Sequence, residues 1–183
     1  GSGLCDDRIF HFPSYHYLPD IIQTHCTGCC PRQCERIMIK IQMKKLRGFE
    51  IAKGWEDKGI NLPVRKTKNA AGYDIEAAED TVVPAFKQGQ KPTLVKTGLK
   101  AYCQPDEFYM LCNRSSNPGK RGLVMANSVG IIDHDYYENE DNDGHFMFAF
   151  YNFFDHDVTI KKGDAIGQAI FMKYLIVDND EAT

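Results

Sequence analysis

The sequence predicts an all-β domain, a sandwich or a barrel, and three observations lead there. Short runs rich in β-branched and aromatic residues recur from Phe49 to Val177. Clusters of Gly, Pro, Asn and Asp break them at short intervals, as turns between strands do. No long stretch carries a helical apolar period; only residues 67–80 and the N-terminal arm have room for a turn or two of helix.

The elements follow in order. "FEIAKGWEDKGINLPVRKT" begins as a strand and is then punctuated by Gly and Pro. "GYDIEAAEDTVVPAF" alternates and turns at Pro84. "KPTLVKTGLKAYCQPDEFYMLCNRSS" reads as two or three strands, broken at Gly98 and Pro105. "RGLVMANSVGIID" is a strand pair around Asn127. "HFMFAFYNFFDHDVTIKKGDAIGQAIFMKYLIV" holds three more, separated by Asp-His-Asp and Lys-Lys-Gly-Asp turns. No internal repeat or low-complexity tract appears.

With 183 residues, 43% of them hydrophobic and 26% charged, the chain has the composition of an ordinary globular protein with one real core. A net charge of −3 argues against nucleic-acid binding, which rests on neutralising many phosphates. No apolar run approaches the length that crosses a bilayer, and no signal peptide is visible, so neither a membrane nor a nucleic-acid partner is expected and the default compartment is cytoplasmic. Five of the seven cysteines lie in the first 34 residues; Cys103 and Cys112 are read as two ordinary, reduced, buried thiols of the body. Residues 1–42 are read as an N-terminal extension and 43–183 as the β domain. "GSG" resembles a cloning scar, and Met38 and Met43 are both plausible native starts. "HCTGCCPRQC" brushes zinc-ligand spacing, but its ligands crowd together without the two separated pairs of a structural site, so an accessory arm is the preferred reading and a zinc-stabilised interaction module the alternative.

Four polar clusters interrupt the apolar strands. In "AAGYDIEAAED", Gly72 permits an unusual backbone turn and Asp74 sits inside an apolar strand start. In "NRSSNPGKRG", Arg114 offers a fork of donors and Ser115 and Ser116 offer hydroxyls; Asn117-Pro118-Gly119 predicts a turn whose N–H groups point one way, an arrangement that suits phosphate oxygens. In "NSVGIIDHDYY", the carboxylate of Asp133 sits at the mouth of a strand, half in protein, where it can take a proton from water, and Tyr136 supplies a flat face for a sugar or base. In "KKGDAIGQAIF", Gln168 interrupts an apolar strand and either faces solvent or serves a ligand. Each cluster alone is more often a polar strand end or hairpin loop.

Taken together, in order and spacing, the four resemble the motifs of the trimeric dUTP diphosphatase (dUTPase) family, and "TLVKTGLKAY" resembles that family's Thr-Gly strand between the first two. The resemblance covers residues 43 to 177 and is most specific in the third motif. It implies a β-barrel of jelly-roll type assembled as a homotrimer, with active sites between subunits, that hydrolyses dUTP to dUMP and pyrophosphate with Mg²⁺. It implies that Asp133 activates the water that attacks the α-phosphorus. Tyr136 would pack on the deoxyribose and leave no space for a 2′-hydroxyl, and Asn127 and Gly130 would belong to the uracil-reading hairpin. Arg114, Ser115, Ser116 and Gln168 would contact the nucleotide, the first two and Gln168 at its phosphates. Asp74 would bear on the metal through water.

Two departures accompany the resemblance. After Tyr137 the chain runs through an acidic insertion, Glu138 to Gly144, so nothing there carries over from the family. The family's fifth motif, a Gly-rich C-terminal tail that closes over the nucleotide, has no match in "IVDNDEAT"; the expectation is that binding survives its absence and turnover suffers. The alternatives are a dCTP deaminase, which shares the fold but places a catalytic Glu on the strand that here reads "HFMFAFYN", and a non-catalytic nucleotide-binding regulator on the same scaffold.

Overall fold

The computed structural model describes residues 45–182. The cysteine-rich segment, its zinc-like spacing and the alternative starts lie outside them. Eleven strands are present: β1 (Gly48–Ile51), β2 (Tyr73–Glu76), β3 (Thr81–Val83), β4 (Thr93–Lys96), β5 (Leu99–Tyr102), β6 (Glu107–Asn113), β7 (Leu123–Met125), β8 (Gly130–Ile132), β9 (Met147–Asn152), β10 (Val158–Ile160) and β11 (Ala165–Lys173). They form a four-stranded sheet in the order β2-β11-β6-β8, a three-stranded sheet β4-β9-β7, and the pairs β1-β5 and β10-β3. Every pairing between these strands is antiparallel. The all-β class expected from the sequence is the class found, and the sheets share one core, compatible with a jelly-roll barrel.

Alternation explains the core. In β9 the side chains of Phe148, Phe150 and Asn152 point inward while Met147, Ala149 and Tyr151 point out. Phe148 and Phe150 are fully buried and stack with ring centroids 5.9 Å apart. In β6, Tyr109 and Leu111 face the core, and Phe108, Met110 and Cys112 face outward. Asn152 is the polar exception inside; its Nδ2 donates to the carbonyls of Val83 (3.0 Å) and His156 (2.8 Å), and its Oδ1 accepts from Phe154 N, so its burial leaves nothing unpaired.

Thr97 and Gly98 turn the chain from one sheet to another, since β4 pairs with β9 whereas β5 pairs with β1. Gly98 adopts φ +67°, which a side chain would strain. The buried Thr97 hydroxyl donates to Phe146 O at 2.6 Å and accepts from Leu99 N, which fixes the corner.

Three local expectations are corrected. Residues 67–80 contain strand β2 and no helix: Asp74 N donates to Val64 O, and tertiary pairing with β11 takes the remaining backbone groups. The Asn117-Pro118-Gly119 turn is instead the first part of a short helix, α1 (Asn117–Arg121), the one α-helix among the described residues. Pro118 suits its first turn, and Gly122 closes it in the left-handed conformation at φ +64°. Cys103 is buried, and burial pushes its thiol up to about 11, but Cys112 is only half-buried because it lies on the outer face of β6; both thiols are free.

Gly167 marks a register shift in β11 and lies against Phe148; a Cβ there would overlap that ring and sit 2.8 Å from Cys112 O. Overpacking of this kind costs typically about 1–3 kcal/mol. Because Phe148 is itself fully buried, Gly167→Ala is expected at the upper end, read as a drop in thermal midpoint at fixed protein concentration. An unchanged midpoint would show that the core yields freely there.

Candidate active site

Three of the four polar clusters meet at one end of the four-stranded sheet. β11 lies between β2 and β6, and its Gln168 pairs with Asp74 on one side and Cys112 on the other. Register partners share a face, so Asp74 and Gln168 project from the same row. Gly72 is needed for close approach rather than for an unusual turn, a correction to the sequence reading: its φ is not positive, and a Cβ would overlap the Gln168 amide and lie 3.1 Å from Gln168 Cβ. The half-buried Gln168 side chain therefore lies across the Gly72 backbone. Asp74, itself half-buried, pairs through Oδ2 with Lys66 Nζ at 2.7 Å.

Arg114 follows the end of β6. One guanidinium nitrogen, Nη1, donates to Ala165 O at 3.1 Å, which sets the group beside the start of β11. Ser115 is exposed; Ser116 occupies the N-cap of α1 without a side-chain capping bond. Beneath them Asn117 is buried and donates to Asn113 Oδ1 (2.8 Å) and Ile166 O (2.9 Å), tying the loop to both strands.

The third cluster flanks β8, the edge strand of the same sheet. Asn127 is exposed in the connection between β7 and β8, where Ser128 takes φ +65° and Val129 N donates to Asn127 O at 2.7 Å. Gly130 is buried against Leu111, whose Cβ would lie 3.1 Å from a Cβ at this position, a tight fit for any side chain. Asp133 follows β8 and is exposed, more open than the half-buried position expected, because the strand has ended and a short 3₁₀ turn, His134–Tyr136, begins at it. Its carboxylate makes no capping bond to that turn.

β8 thus puts Asn127 and Asp133 at its opposite ends. It also separates Asp133 from Arg114. Gly130 pairs with Leu111 and Ile132 with Tyr109, so Asp133 lies beyond the Tyr109 level, whereas Arg114 lies past Asn113 at the other end of β6. At about 3.4 Å per residue the two are roughly 20 Å apart along the sheet. Within one chain, Arg114, Ser115, Gln168 and Asp74 come together; Asp133 and Tyr136 do not join them.

The acidic insertion after Tyr137 is compactly folded, and it carries residues that sequence reasoning missed. Asn139 Nδ2 donates to Tyr136 O (2.8 Å) and to Asn142 Oδ1 (2.8 Å); Asn142 Nδ2 donates to the Tyr136 hydroxyl at 2.7 Å. Beneath the insertion Lys100 is buried and pairs with Glu138 (2.9 Å) and Asp143 (3.0 Å). Burial alone would pull the Lys100 ammonium down, but its bonds to Glu138 and Asp143 outweigh this and hold it above the ordinary lysine value. Burial, and then the nearby Lys96, lowers His145, whose Nε2 accepts from Gly98 N at 2.9 Å. The one signal in the sequence was the density of Asn and Gly in the insertion, which marks Asx turns but not what they hold.

Comparison with known proteins gives a consistent result. The dUTPase family model matches residues 58–183. A deoxyuridine 5′-triphosphate nucleotidohydrolase of Lactococcus lactis is 50% identical over 137 residues, covering 75% of this chain and 89% of its own length. The crystal structure of the dUTPase from Streptococcus mutans superimposes with a TM-score of 0.67 at 44% identity, covering 72% of this chain and 99% of that one. A mutant dUTPase from phage phi11 of S. aureus, described with a structural Mg(II) ion, shares the fold at 18% identity and a TM-score of 0.59, covering 74% and 95%. With more than half of the chain matched by the family model, and an enzyme relative identical at half of the aligned positions, this chain belongs to the dUTPase family.

Proposed function

We propose that this chain hydrolyses dUTP to dUMP and pyrophosphate at sites built between copies of itself in a homotrimer, with Asp133 of one copy acting on a nucleotide whose phosphates are held by another. The observation that carries the reading is the distribution of the motifs over one sheet. The phosphate-type groups gather at one end of β6, and the acid and the flat ring gather about 20 Å away at the other. Two such halves complement each other only across a subunit boundary. The outer face of the same sheet supports this: Met110 lies in register between Ile131 and Ile170, and Ile131 and Met172 are 52% and 44% exposed. An apolar strip of this kind is suited to burial against a second copy.

The chemistry follows from the groups. Asp133 is open to water and accepts a proton from the water that attacks the α-phosphorus; the bond from that phosphorus to the bridging oxygen breaks, and pyrophosphate leaves. Arg114 keeps donors beyond the Nη1 bound to Ala165 O, and these, with the Ser115 and Ser116 hydroxyls and the Gln168 amide, suit phosphate oxygens. Asn127 and Gly130 belong to the segment that would read the uracil, largely through backbone groups. The Tyr136 ring packs on the deoxyribose and excludes a 2′-hydroxyl. Asp74 fits a water-mediated Mg²⁺ contact: it is a hard oxygen donor on the same row as Gln168, and Mg²⁺ needs few protein ligands because it keeps several waters. When bound, the ion offsets part of the triphosphate charge. No helix among the described residues is long and apolar enough to cross a membrane, and the free thiols of Cys103 and Cys112 fit a cytoplasmic setting.

The deciding experiment is pyrophosphate release from dUTP, dCTP, dTTP and UTP, each with Mg²⁺. Release from dUTP in strong preference to the others is expected. Equal release from UTP, or ammonia produced from dCTP, would overturn the assignment.

A further inference from the structure

We infer that Asn142, within the acidic insertion, is a positioning and specificity residue that acts through Tyr136. The inference rests on the reading of Tyr136 as the face that meets the deoxyribose, and it goes beyond that reading in saying what aims the ring. Tyr136 is gripped at both ends. Its carbonyl accepts from Asn139 Nδ2 at 2.8 Å. Its hydroxyl accepts from Asn142 Nδ2 at 2.7 Å and donates to His145 O at 3.3 Å. The ring between these points is half-buried and packs against the core.

Both amides of the grip come from the insertion. Asn142 Oδ1 accepts from Asn139 Nδ2 (2.8 Å) and from Gly144 N (3.1 Å), so both halves of its amide are committed and its orientation is determined. Asn139 Oδ1 in turn accepts from the N–H groups of Asp141 and Asn142, which closes the loop on itself. Gly144 takes φ +79° and lies so close that a Cβ would be 2.8 Å from Tyr136 O and 2.9 Å from Glu138 N. The loop is anchored from below by Lys100, through Glu138 and Asp143, and by Lys53 N, which donates to Asp143 Oδ2 at 2.8 Å. A side chain that merely stabilised the loop would affect every substrate alike. One that holds the Tyr136 phenol sets where the ring face lies, and so how strongly a 2′-hydroxyl is rejected.

The test is kcat/KM for dUTP and for UTP, with Mg²⁺, in the full chain and in Asn142→Ala, Tyr136→Phe and the double variant. Tyr136→Phe removes the Asn142 hydrogen bond from the other side, together with the longer one to His145 O, and leaves the bonds within the loop in place, so the test survives if Asn142→Ala folds poorly. Each single change is expected to lower the dUTP-to-UTP ratio about five-fold, the worth of one hydrogen bond. The double variant is expected to fall no further than Tyr136→Phe alone, because that change already removes the Asn142–Tyr136 contact. A ratio unchanged in both single variants, or losses that multiply in the double variant, would overturn the inference. Tyr136→Ala separates this from the reading beneath it. If it relaxes the ratio while Asn142→Ala and Tyr136→Phe do not, Tyr136 stands as the sugar gate and the positioning role falls. If it leaves the ratio at the wild-type value, the gate itself falls.

Discussion

Asp133→Asn is expected to lower turnover of dUTP by about 10²–10⁴-fold, the usual contribution of a positioned general base, and to leave nucleotide affinity largely intact. The asymmetry is expected because the substitution keeps the shape of the side chain and removes its basicity. Asp133 is exposed at the end of β8, and its carboxylate makes no capping bond to the turn that follows, so the exchange to an amide breaks no structural contact of that kind. Folding and assembly should therefore be unaffected. The phosphate-type groups around Arg114 and Gln168 are on a different part of the sheet and remain in place. Steady-state turnover and nucleotide titration, run on the same preparation, measure both quantities. Equal loss of binding and turnover would remove Asp133 from the role of base.

The second large effect is a recovery rather than a loss. Asp133→Asn and Arg114→Ala are each expected to be nearly inactive as pure trimers. Co-expressed in equal amounts, they should regain about a quarter of wild-type activity. Under the proposed arrangement each site needs an intact Asp133 from one copy and an intact Arg114 from another, and random assembly supplies the right copy half the time on each side. The reason is geometric: roughly 20 Å of sheet separates the two residues in one chain, and no side chain spans it. A mixture no more active than its separated components would show that a single chain holds a whole site, which contradicts the register of β6 and β8.

How much could be read before folding depended on the kind of information each feature needs. The strands were legible because their signal is local. β9 reads Met-Phe-Ala-Phe-Tyr-Asn and β6 carries the apolar run Phe108 to Cys112, so each announces a strand locally, although with apolar residues on both faces only the fold decides which face is buried. The order and spacing of the four polar clusters were legible for the same reason and pointed to the family. Where local signals were ambiguous, partners decided. Residues 67–80 had room for a turn of helix, but β11 offers an antiparallel edge, and β2 takes it. Asn117-Pro118-Gly119 is compatible with a turn or a helix start; the buried Asn117, bonded to Asn113 and Ile166, selects the helix.

The β class, the strand positions, the family and the residue types able to carry the chemistry all came from the order of amino acids, because each is written in near neighbours along the chain. The placement of Asp133 and Arg114 at opposite ends of one sheet did not, since strand register depends on pairing between segments far apart in sequence. Nor did the closure of the acidic insertion on Tyr136 through Asn139 and Asn142. Hydrogen bonds are directional, and whether two amides reach a carbonyl and a phenol is set by where the folded backbone carries them.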